Sequence, residues 1–164
     1  MEKIYGATER YDGIQQIGRR RWEIFYGYGT EGDTAYQYRQ TLEHKPSLAE
    51  IKELILTQIN TIVRERILTG LEYQERLVWL SAENQRNIAF AYALAKGGDL
   101  TTPPTLKLGT DNDYILYTFD NAEEVIAFAI LVQEHIERCI EDGRQEKASV
   151  DWSCYEEIMK EAEE

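Results

Sequence analysis

The chain is poor in the residues that most chemistry requires. Its 164 residues include two histidines, two cysteines and three prolines, and 18 basic side chains stand against 30 acidic ones, a formal charge of −12. Cys139 and Cys154 form no C-x-x-C pair and no stretch resembles a signal peptide, which predicts a reducing cytoplasm. No apolar run approaches the roughly 18 residues that a spanning helix needs, so no membrane partner is expected. A strongly acidic chain repels a phosphate backbone. The one basic cluster, Arg19-Arg20-Arg21, reads as a solvated rim at the entry to a strand, and nucleic acid is not expected as a partner either.

Catalytic and metal signatures are missing in the same way. His44 sits beside Lys45-Pro46 in a loop and His135 lies inside a helix, and neither accompanies a G-x-S-x-G or comparable motif, so a nucleophile would lack its base. His135 and Cys139 stand at i and i+4 and offer at most two zinc ligands where three or four are needed, and Cys139 fits an apolar stripe. Gly27-Tyr28-Gly29 leads into a turn and a strand instead of a helix and is no phosphate loop. Asp111-Asn112-Asp113 lacks the glycine and distal glutamate of a calcium loop and reads as a plain turn. Paired acids such as Glu72 with Glu75 and Glu123 with Glu124 follow from an acidic composition. The expectation is a non-enzyme with no catalytic residue, no metal and no cofactor.

What the chain does contain is an alternation of hairpins and capped helices. Its organising stretch covers residues 67–95. Leu71 and Tyr73 alternate with Glu72 and Gln74, the run from Leu77 to Leu80 suits a largely buried strand, and Gln74-Glu75-Arg76 must turn between them. Without Gly or Asn there, a longer type I loop is expected over a two-residue connection. Ser81 is an N-cap candidate, Glu83 favours the positive helix end, and Ile88, Ala91, Tyr92 and Ala95 recur at helical spacing until Gly97-Gly98. Upstream, Trp22, Ile24, Tyr26 and Tyr28 alternate with Arg21, Glu23, Phe25 and Gly27, and Tyr36, Tyr38, Gln40 and Leu42 follow a turn at residues 29–33. This predicts a hairpin with one aromatic face, more simply a core layer than a binding platform.

Ser47-Leu48-Ala49-Glu50 is a capping box, and Leu48, Ile51, Leu54, Ile55, Ile59, Ile62, Val63 and Ile67 make one helical stripe up to Gly70. A third strand pair, 105–108 with 114–119, precedes Asp120 and Glu123 as a second capping arrangement. A last long helix follows, with Val125, Phe128, Ala129, Val132, Ile136, Cys139 and Ile140 buried and Asp142-Gly143 as its stop. Ile88-Ala89-Phe90-Ala91 recurs as Ile126-Ala127-Phe128-Ala129, a weak internal echo. Residues 141–164 hold nine acids against Arg144, Lys147 and Lys160, half of the net charge. Within them a short helix over Tyr155, Ile158 and Met159 is capped by Ser153, with Trp152 pinned to the body.

These segments define an α+β fold of three strand-pair plus helix units, with antiparallel hairpins packed against two long helices and one shorter helix. The expected organisation is a loose N-terminal arm (1–18), an aromatic hairpin (19–45), the main α+β domain (46–142) and an acidic C-terminal segment (143–164).

Residues 66–73, Arg-Ile-Leu-Thr-Gly-Leu-Glu-Tyr, and 79–87, Trp-Leu-Ser-Ala-Glu-Asn-Gln-Arg-Asn, lie between two long helices in a segment that resembles a domain of unknown function of phage and prophage tail-associated proteins. Residues 22–29 and 145–152 resemble small prophage proteins of gut bacteria that carry this domain nearly end to end. The departure is at Gln74-Glu75-Arg76, where relatives place a glycine turn. The resemblance implies a structural or assembly role in a phage tail, in the bacterial host cytoplasm during assembly or in the virion. Its partners would be other tail proteins or copies of itself, with Trp22, Tyr26, Tyr28, Tyr36 and Tyr38 and the acidic segment as contact surfaces. Two alternatives remain: a carbohydrate-binding module stacking sugars on those five aromatics, and an acid-catalysed hydrolase with two carboxylates across a cleft.

Overall fold

A single glycine with a left-handed backbone, Gly27 at φ 69°, sets the geometry of the first sheet. The computed structural model describes residues 1–110 and 112–156. The chain forms two compact units, Met1–Ile59 together with the segment from Glu146 onward, and Asn60–Gln145. The architecture is α+β, built of antiparallel strand pairs and helices.

In the first unit, β1 (Glu2–Tyr5), β2 (Gly13–Gln16), β3 (Trp22–Glu31) and β4 (Thr34–Leu42) make an antiparallel sheet of order β1-β4-β3-β2. Residues 1–18, expected as a loose arm, therefore supply both outer strands: Glu2–Tyr5 pairs with β4 and Gly13–Gln16 with β3. Strands of four residues show no readable period, and the central hairpin gives them their place by offering two free ladders. Gly27 is an extra residue in β3, so the register jumps from Tyr26 opposite Tyr38 to Tyr28 opposite Gln37. A bulge with glycine in the left-handed region bends the strand and turns the following side chains over. Tyr28 thus leaves the face that carries Trp22, Ile24 and Tyr26.

Those three residues and Tyr38 are buried, as are Ile51, Ile55 and Ile59 on the first half of α1 (Leu48–Thr69). Ser47 caps α1 by accepting from the Glu50 amide at 3.2 Å, but the return arm of the capping box is not made, because the Glu50 carboxylate binds His44 Nε2 at 3.0 Å. Near the other end of the chain Tyr155, not Trp152, is the pinned residue. Tyr155 is 0% exposed and donates its hydroxyl to the Phe25 carbonyl at 2.7 Å, while Trp152 stays half-buried with the Lys52 ammonium 5.3 Å from its ring. Asp151 rather than Ser153 provides the cap, its Oδ1 accepting from the Ser153 amide and hydroxyl. Ile158 and Met159 lie outside the described residues.

The second unit holds the rest of α1, β5 (Leu71–Tyr73), β6 (Arg76–Val78), α2 (Ala82–Gly97), β7 (Thr105–Gly109), β8 (Tyr114–Thr118) and most of α3 (Ala122–Ala148). The β5–β6 connection is two residues, Gln74 at φ 52° and Glu75 at φ 58°, and not the longer loop expected. Two-residue hairpins favour the primed turns that match the strand twist, and the form taken here has both central residues left-handed, a geometry imposed on two residues that resist it. Replacing Gln74-Glu75 with Asn-Gly should therefore stabilise the protein by about 1–2 kcal/mol, raising Tm by roughly 2–8 °C in a thermal melt.

The alternation in β6 is sharper than a buried run: Val78 and Leu80 are buried and Trp79 is exposed. Ser81 caps α2 by accepting from the Asn84 amide at 3.2 Å, and Gly98 ends it in the left-handed conformation with its N–H on Ala95 O. The α3 cap sits one residue later than the spacing suggested: Asn121 Oδ1 accepts from Glu124 N at 2.9 Å, and Glu124 reaches back to Asp120 N at 2.7 Å. Gly143 does not stop α3, which runs through it to Ala148. The Phe90 and Phe128 of the internal echo have opposite fates, 66% and 2% exposed, so the echo is not a structural equivalence. Ile140, placed on the buried stripe by its spacing, is exposed.

Candidate functional site

The five aromatics singled out from the sequence do not form one surface. Trp22, Tyr26 and Tyr38 are buried, Tyr28 is exposed on the other face beyond the bulge, and Tyr36 is half-buried. Tyr36 acts as a clamp across three strands. Its ring lies over Gly29, where a Cβ would come within 2.5 Å, meets Tyr5 and Tyr38 edge-on, and carries the Lys3 ammonium 4.1 Å from its centroid. Lys3 and Tyr5 both bond Glu31, and the Tyr26 hydroxyl donates to Glu146 at 3.1 Å. These are structural tasks, and these five side chains do not line up as a row of exposed rings.

Hairpin tips and caps in the second unit converge on one carboxylate. The hydroxyls of Tyr73, at 2.9 Å, and of Tyr117 both donate to Glu124 Oε1. Their rings pack with Phe119 and Phe128 at centroid distances of 4.8 to 6.3 Å, in edge or tilted contacts worth about 0.5–1.5 kcal/mol each beyond burial. The Tyr117 hydroxyl first, and then the Asp120 amide, hold the Glu124 carboxyl below its ordinary value of 4.5. A carboxyl depressed in the folded state stabilises above its unfolded pKa, and that contribution disappears as pH falls through the folded value. Glu124→Gln should accordingly lower Tm at neutral pH, with the difference from the parent shrinking below about pH 4.5; melts across pH 3–7 measure it.

Neither thiol is activated. Burial pushes the Cys154 thiol up to about 11 and raises that of Cys139 as well, the reverse of what a reactive thiolate needs. His135 is engaged at a helix end: its Nε2 lies 3.1 Å from Arg66 O, which also accepts from Gly70 N at 2.8 Å where α1 stops. Among the described residues no cluster of three or more His, Cys, Asp or Glu could hold a metal. Asp113 of the suspected turn binds Arg76 at 2.8 Å, and Asp111 lies outside the described residues. Arg19 and Arg20 lie in a bend between β2 and β3, and Arg21, immediately before β3, pairs with Glu43. Among the described residues no helix is long and apolar enough to cross a membrane.

A groove of about 600 Å³ lies between α2 and α3 in the second unit. Ile88, Ile130, Val132 and Ile136 form its apolar part and Ala82, Ala89 and Ala129 leave it open, while Gln85, Gln133, Arg86 and Tyr92 supply its polar groups. It contains no carboxylate, in a chain with 30 of them, and no histidine, cysteine or serine. A second concavity of about 340 Å³ lies over Leu77, Trp79, Asn84 and Lys107, again without an acid. Neither could have been located by motif, because a groove between helices is made by small residues whose spacing looks like ordinary core.

Fold and surface together define an α+β protein with an apolar groove between two helices of its second unit. The chain belongs to the family described as Domain of unknown function (DUF4376), whose profile matches residues 50–163, more than two thirds of its length, and begins three residues after the Ser47 cap of α1. No curated protein and no solved structure matches the chain.

Proposed function

We propose that this chain is a non-enzymatic interaction protein that receives a partner's helix in the groove between α2 and α3. The observation that carries this reading is the groove's composition, apolar and small with one cation and no acid. An amphipathic helix about 10 Å across seats its apolar stripe in such a groove, and a carboxylate on its flank pairs with Arg86. The setting, assembly of a phage tail encoded in a bacterial genome, is supported by the likeness of residues 22–29 and 145–152 to small prophage proteins. The partner would then be another tail protein, met in the host cytoplasm during assembly.

A photo-crosslinking residue at Ala89, in a host assembling tails, tests this. An adduct with a tail protein, lost when Arg86 is changed to Glu, is the expected result. Adducts only from positions outside the groove, or none at all, would remove the reading, and hydrolysis or retention of glycans by the purified protein would put an alternative in its place.

A further inference from the structure

We infer that the outer edge of β8 is a dimerisation strand, which pairs antiparallel with β8 of a second copy about a two-fold axis through Leu116. The ladder between β7 and β8 is bracketed by two backbone bonds, Thr110 N–H to Asp113 O at 2.9 Å and Phe119 N–H to Pro104 O at 3.3 Å. In an antiparallel pair, bonded and non-bonded positions alternate. With Thr110 opposite Asp113 and Pro104 opposite Phe119 as bonded pairs, Leu108 with Ile115 and Leu106 with Tyr117 are bonded too. Tyr114, Leu116 and Thr118 are then the non-bonded positions, so their N–H and C=O groups point away from β7.

Nothing among the described residues covers that edge. The β7–β8 sheet has two strands, and Tyr114, Ile115, Leu116 and Thr118 are all exposed, Leu116 at 68%. Natural edges are blunted by a charge, a proline or a bulge, and Tyr114-Ile115-Leu116-Tyr117-Thr118 has none of these.

The occupant follows from charge and register. Each copy carries −12, so two copies repel wherever their acids face each other, and β8 is a strand with no charge of its own. Turned antiparallel on itself about Leu116, the strand sets Leu116 against Leu116, Ile115 against Tyr117 and Tyr114 against Thr118. Every opposed pair is uncharged and contains a large apolar side chain, and the outward-pointing backbone groups at 114, 116 and 118 bond each other in register. An isologous contact of this kind closes on itself and covers the β8 edge of both copies. It uses a different surface from the α2–α3 groove, so either proposal can fail alone.

The test starts with sedimentation equilibrium across a wide concentration range. The expected mass rises from one chain of 19.1 kDa towards twice that value. Leu116→Lys, which puts like charges face to face, should keep the melting profile of the parent and lose the dimer. Leu116→Pro removes an N–H that β7 does not use and should do the same. In a Cys154→Ser background, Leu116→Cys should give a disulfide-linked dimer under mild oxidation, since Cα atoms of a bonded antiparallel pair lie about 5.5 Å apart, within disulfide reach. Tyr114→Cys should not, because it faces Thr118. A parent that stays monomeric at every concentration, a dimer indifferent to both Leu116 variants, or equal cross-linking at 114 and 116 would overturn the inference.

Discussion

Gly143→Val should destabilise the protein by about 3 kcal/mol or more, although it replaces the residue least suited to the middle of a helix. Helix propensity alone predicts the opposite for Gly143→Ala, a gain of about 1 kcal/mol. The geometry decides against propensity, because a Cβ at position 143 would lie 2.3 Å from Val63 Cγ2 of α1, well inside contact distance. Val63 is β-branched and can turn only by giving up its preferred rotamer. Gly143→Ala is therefore expected to lose about 1–2 kcal/mol net, and the larger valine to force the two helices apart. Urea denaturation measures both. The diagnostic variant is the pair Val63→Ala with Gly143→Ala, which removes the obstructing methyls and should be more stable than the sum of the single changes by at least about 1 kcal/mol. If Gly143→Ala alone stabilised the chain, the close approach of α1 and α3 would be wrong.

The same glycine shows where the sequence could be read and where it could not. Helix starts were legible because a cap is a local bargain between a side-chain oxygen and an amide three residues on, as at Ser47 and Ser81. Glycine has two meanings that spacing does not separate: Gly98 ends α2 with φ 77°, whereas Gly143 lies inside α3 to admit Val63. Gly27 has a third, since its bulge moves Tyr28 to the far face and dissolves an alternation that looked unbroken. Sheet membership of residues 2–5 and 13–16 was hidden for a different reason. An edge strand is specified by the strand it joins, so its own four residues hold little pattern. The candidate surfaces were the least legible of all. Leu116 looks like core by residue type, and Ala89 and Ala129 look like filler, yet solvent exposure of the first and the small size of the others create the edge and the groove.

Tyr155→Ala should cost about 3–5 kcal/mol, an effect normally associated with the centre of a core. Tyr155 is fully buried, and its hydroxyl donates to the carbonyl of Phe25, one residue before Tyr26 and the bulge in β3. Burial holds its phenol far above the ordinary tyrosine range. The segment that contains it is expected from the sequence to be an acidic contact surface. A short acidic segment can still anchor a sheet when one large side chain supplies the apolar area. Two variants separate the contributions. Tyr155→Phe keeps the ring and loses the hydroxyl, and should cost only about 1–2 kcal/mol, the usual result of leaving a buried carbonyl short of a donor. Trp152→Ala, at the half-buried residue that the composition favoured as the anchor, should cost less than Tyr155→Ala. Denaturation of the three variants ranks them directly. A Trp152→Ala loss equal to or larger than that of Tyr155→Ala would return the anchoring role to the tryptophan and leave the Phe25 bond a minor contact.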